Sequence, residues 1–99
     1  MIGGNLRWAD VILQDVLDSG KPFPKPTDGV CVFIRDSGKT FILVACGSCW
    51  MFVNPFNPRD NKYKCQQYEE AINTAMQSTT GVYVVAEQWQ MNEIIERTP

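Results

Sequence analysis

Ninety-nine residues, 44% of them hydrophobic and 20% charged, suit one globular domain spanning residues 1–99, with a core that buries about 65% of the surface an unfolded chain exposes. Nine Lys and Arg against eleven Asp and Glu leave a net charge of −2 with the signs interspersed. That excludes both the basic stripe that grips nucleic acid and the dense acidic row that would imitate one.

Met1-Ile2-Gly3-Gly4-Asn5 leads straight into an amphipathic stretch, without the basic and apolar regions of a secretion signal and without the ~20 apolar residues that span a bilayer. The expectation is a cytoplasmic protein with no membrane association and with reduced cysteines. From Leu6 to Ser19 the apolar residues recur at three- and four-residue spacing, which predicts a helix capped by Asn5 and ended by Gly20. Its wide apolar stripe suits deep packing or a surface shared between two copies. Lys21-Pro22-Phe23-Pro24-Lys25-Pro26 follows as an extended connector, because proline at every second position fixes φ and removes amide donors.

Val30–Arg35 and Thr40–Cys46 are β-branched and aromatic runs around Asp36-Ser37-Gly38-Lys39, which reads as a hairpin. Two registers are open, a two-residue Ser-Gly turn or a type I turn with Gly38 in a bulge. In both, Val30, Val32 and Ile34 line one face while Cys31 and Phe33 line the other. Phe41-Ile42-Leu43-Val44-Ala45 is unbroken apolar sequence, so both faces need covering. Cys49 to Val53 forms a third strand, stopped by Asn54-Pro55. Asn57-Pro58-Arg59-Asp60 has the look of a helix start, with a cap, proline at the first helical position and an acid beyond. Cys65, Tyr68, Ile72, Ala75 and Met76 would form that helix's apolar face. Val82–Ala86 is a last strand, and Trp89, Met91, Ile94 and Ile95 suggest a C-terminal helix, with a longer strand through Trp89 as the alternative. The predicted class is α+β in the order α-β-β-β-α-β-α, with a central four-stranded, mostly antiparallel sheet and helices packed on its faces.

Cys46-Gly47-Ser48-Cys49-Trp50 resembles the segment that carries the nucleophile of papain-like cysteine proteases, a resemblance that implies that role for Cys49. It covers five residues. A thiolate of that kind needs an imidazole beside it, and the chain holds no histidine. The same Cys-x-x-Cys is similar to the thioredoxin redox pair, but no β-α-β unit leads into it and Trp50 follows the second cysteine. Cys31, Cys46, Cys49 and Cys65 match zinc in number, though with one Cys-x-x-Cys pair only. As small hydrophobes they would fill gaps in the core. Gly-rich phosphate loops are absent from the sequence, and the paired carboxylates fall on solvated helix faces. No catalytic residue, cofactor or metal ligand is therefore assigned.

What remains is binding by shape. Phe23 between prolines, Trp50 beside the Gly-Ser turn and Phe56 between Asn-Pro dipeptides are large aromatics in expected loops, the residue type that anchors interfaces. Arg59 and Lys62, with Lys64, would supply a polar rim. The expected function is a non-catalytic inhibitor or adaptor that occupies a protein partner's surface, of the kind mobile elements and immunity systems encode. The first alternative is a homo-oligomer, a homodimer at its simplest, binding a small ligand between subunits. The second is a small zinc domain with four cysteine ligands.

Overall fold

A computed structural model of the chain describes residues 18–20, 22–79, 81–85 and 88–96. Ser37 and Gly38 both take positive φ, 53° and 77°. That is a type I′ turn, whose twist matches the strands it joins. It settles the register in favour of the two-residue loop: β1 (Cys31–Asp36) and β2 (Lys39–Cys46) pair Phe33 with Ile42, Ile34 with Phe41 and Asp36 with Lys39. At the next turn Gly47 alone is left-handed, at 62°, as a type II′ turn requires of its first central residue. β3 (Cys49–Asn54) returns from it in unbroken register, Cys46 opposite Cys49 and Val44 opposite Met51.

The fold is α+β, with five strands where the sequence suggested four. The order is β4-β3-β2-β1-β5 and every neighbouring pair is antiparallel. The additional strand is β4 (Asn57–Cys65), which overturns the helix start expected at Asn57. Asn57 pairs with Asn54 across a tight turn, and α1 begins only at Tyr68, running to Ser78. The sequence misleads here because an edge strand tolerates the proline, lysines and charge that an interior strand does not. Between Trp50 and Phe52 the register with β4 slips, and Tyr63 takes a left-handed φ of 57° at that bulge. β5 (Val82–Val85) closes the other edge against β1, and α2 (Gln88–Glu96) follows it, so the helix and not the longer strand is found through Trp89.

Because side chains alternate along a strand, this register sends Val32, Ile34, Phe41, Leu43 and Phe52 to one face, where α1 covers them with Tyr68, Ala71, Ile72 and Ala75. Phe33 and Val85 go to the other face, where Met91 and Ile94 of α2 cover them, with Ile42 and Tyr83 partly buried beside them. The two-faced hairpin lies in the middle of the fold, as its sequence requires. The expected helix over Leu6–Ser19 lies almost entirely outside the described residues, although Asp18 and Ser19 are helical and Gly20 has φ 68°. No described helix is long and apolar enough to cross a membrane.

A left-handed non-glycine residue costs about 1–2 kcal/mol, whereas removing a buried phenylalanine from a core costs about 3–5 kcal/mol. Packing of Phe33, Phe41 and Phe52, each at most 1% exposed, therefore holds Ser37 in a conformation its side chain disfavours. Asparagine tolerates that region better. Ser37→Asn should stabilise the fold by about 0.5–1 kcal/mol, a rise of roughly 4 °C in Tm. Thermal denaturation checks it, and a fall in Tm would contradict the turn geometry.

Candidate functional site

The turn end of the sheet is tied together by charge. Lys62, opposite Phe52 in the β3–β4 ladder, reaches across the α1 face, with its ammonium 5.1 Å from the centre of the Phe41 ring, to pair with Asp36. Their backbones are three strands apart and also offset along the strands, so the long lysine side chain runs over the sheet face to make the pair. The hydrogen bond from Lys62 holds the Asp36 carboxyl below its ordinary range, and the same bond holds Lys62 above its own. Lys39 lies 3.6 Å from Asp60 in a parallel cross-link, and Arg35 donates to Thr40 and to the carbonyl of Gly38, closing the first turn.

The β3–β4 turn is braced from beneath. Asn54 is buried, its Oδ1 accepts from the amide of Phe56 at 2.9 Å, and its Nδ2 donates to Asp60 at 3.4 Å. Pro55 fixes the preceding φ. The ring of Phe56 is left 57% exposed on this anchored turn, and Arg59 of the same hairpin is exposed as well. Of the five residues singled out from the sequence, these two are exposed. Lys62 is half-buried and committed to Asp36.

Phe23 and Trp50 point inward instead. Both are half-buried against the α1-side core. Trp50 meets the Tyr68 ring edge to face at 5.3 Å. The Tyr68 hydroxyl donates to the carbonyls of Phe23, at 2.9 Å, and Pro24. This explains why the proline connector lies over the fold: its carbonyls have no strand partner, and a buried phenol needs an acceptor. Burial, with the nearby charges of Glu69 and Asp28, pushes the Tyr68 phenol well above its usual value.

The cysteines do not fill the core. Cys31 opens β1, Cys46 ends β2, Cys49 opens β3 and Cys65 ends β4, so all four lie at the sheet end opposite the braced turn. None is buried and Cys46 is exposed; none is in a disulfide. Cys65 joins the α1-side core beside Trp50, whereas Cys31 packs against the α2-side core, where burial pushes its thiol up. The four sulfurs are thus divided between the two faces, and among the described residues no group of three or more Cys, Asp or Glu side chains could hold a metal ion.

Trp89, grouped in the sequence with Met91, Ile94 and Ile95 as marking the C-terminal helix, is 59% exposed. It lies two residues, about 200° of helical rotation, from the buried Met91, and that angle is the signal that places it on the outer face of α2. Comparison of the chain with protein-family models, with curated proteins and with solved structures gave no match. The class of protein is therefore defined by its fold, a five-stranded antiparallel α+β domain with an exposed aromatic on a braced turn.

Tyr68→Phe removes the donor that ties down the connector and should cost about 0.5–1.5 kcal/mol. Because the folded phenol titrates above its unfolded value near 10, the unfolded state loses its proton first. Wild-type stability should then fall as pH rises through and beyond about 10, and Tyr68→Phe should lack that part of the loss. Chemical denaturation at pH 8 and at pH 10.5 measures both, and parallel curves for the two proteins would contradict the assignment.

Proposed function

We propose that this chain is a non-catalytic protein-binding domain, an inhibitor or adaptor that works by occupying the surface of a protein partner with the Phe56 turn. The observation that carries this reading is an aromatic ring more than half exposed on a turn whose backbone is held by a buried asparagine. Exposing such a ring has no benefit to folding, and holding it still lowers the entropy lost on docking. Arg59, exposed in the same hairpin, supplies the polar rim that surrounds an anchor. No pocket for a small substrate is found among the described residues. The proposal places the chain in the cytoplasm, where its cysteines stay reduced.

A homo-oligomer is the second reading. It draws on Val44, Met51 and Val53, which share the α2-side face of the sheet and are only partly buried. Sedimentation at micromolar concentration separates the two, since a monomer removes the oligomeric reading.

Phe56→Ala should leave folding stability within about 0.5 kcal/mol of wild type, because a largely exposed ring contributes little to the core. It should weaken partner binding by at least about 30-fold, the size of an anchor residue. The check is affinity capture from the native cell with both proteins as bait, followed by titration of the retained species. Identical retention by the two baits would overturn the proposal.

A further inference from the structure

At the far end of the sheet from Phe56, three sulfur atoms share one face. Cys46 and Cys49 are direct partners across the Gly47-Ser48 turn, and the next pair on that face is Val44 with Met51. Alternation puts Cys49 and Met51 on the same side of β3, and the ladder puts Cys46 there with them. Cys46 is exposed, Cys49 and Met51 are half-buried, and the Cys49 thiol is turned back over the turn, donating to the carbonyl of Cys46 at 3.0 Å. Two thiols and a thioether thus lie on one face beside a two-residue turn.

We propose that Cys46, Cys49 and Met51 form a binding site for a soft monovalent cation of the Cu(I) type. The donor set decides the ion. Thiolate with thioether selects Cu(I), whereas zinc seeks four donors and takes thiolate, imidazole or carboxylate. No third group of that kind joins the pair among the described residues, and Cys65 is on the opposite face with Trp50. The spacing also favours a bridged ion over a disulfide. A pair that closes a two-residue turn is hydrogen-bonded, with Cβ atoms up to about 5.5 Å apart, and a disulfide needs about 3.5–4.5 Å. In binding, each thiol releases its proton to solvent as its sulfur bonds to the ion, so one Cu(I) displaces two protons and copper keeps its oxidation state. The Met51 sulfur donates without proton loss.

The test is anaerobic titration of the full chain with Cu(I) alone, supplied as its acetonitrile complex, in competition with a chromophoric Cu(I) chelator. One ion per chain and sulfur-only coordination by X-ray absorption are expected. Cys46→Ser and Cys49→Ser should each weaken binding by about 100-fold or more, and Met51→Leu, which conserves volume, by about tenfold at unchanged Tm. Cys31→Ser and Cys65→Ser should bind as wild type, which separates loss of a ligand from loss of fold. The proposal is overturned if no Cu(I) is retained, if Met51→Leu binds unchanged, or if Cys31 or Cys65 is needed. It is equally overturned if oxidised glutathione closes Cys46 and Cys49 into a disulfide under conditions in which Cu(I) is not held.

Discussion

The β1–β2 hairpin is apolar on both of its faces, and the rest of the molecule is arranged to cover them. Phe33 faces one way and Ile34 the other, and both are fully buried. A hairpin with one wet face would leave half of that surface in water. Two helices are therefore required, and they arrive from different sides: α1 on the face of Ile34 and Phe41, α2 on the face of Phe33 and Val85. At roughly 1.5–3 kcal/mol for each large side chain buried, these contacts outweigh any local preference along the chain, including the left-handed conformation of Ser37.

The consequences run outward to both ends of the sheet. One end is clamped by charge and by Asn54, where Lys62 crosses to Asp36 and Asn54 fixes the turn that presents Phe56. The other end gathers the strand termini that carry cysteine, and there the type II′ turn sets Cys46 and Cys49 side by side. The two proposed surfaces are thus products of one register. A shift of a single residue along β3 would exchange the faces of its side chains, sending Met51 and Cys49 to the α1 side with Ile34 and moving Phe52 away from the α1-side core.

Much of this could be read from residue order. The alternation through Val30–Arg35 and the unbroken run Phe41–Ala45 required a hairpin buried on both sides, and Gly38 and Gly47 marked its turns. β4 was hidden because its residues are those of an edge: Asn57-Pro58-Arg59-Asp60 satisfies every local rule for a helix start, and only pairing with β3 makes it a strand. Phe56 was legible as a loop aromatic from its place between Asn-Pro dipeptides, whereas its exposure follows from the turn that Asn54 holds. Phe23 and Trp50 were not distinguishable from it, since their inward packing depends on Tyr68, 45 and 18 positions away. Counting only cysteines hid Met51, whose place beside the thiol pair follows from strand parity.

The most direct test is the backbone register of the first hairpin, measured by nuclear Overhauser contacts between α-protons of facing residues. In an antiparallel ladder the non-hydrogen-bonded pairs bring these protons closest, and the two-residue turn makes those pairs Arg35 with Thr40 and Phe33 with Ile42. Strong contacts at both pairs are the predicted result. A contact joining Phe33 to Phe41 would mean a three-residue turn, with the two cores and both surfaces wrongly assigned.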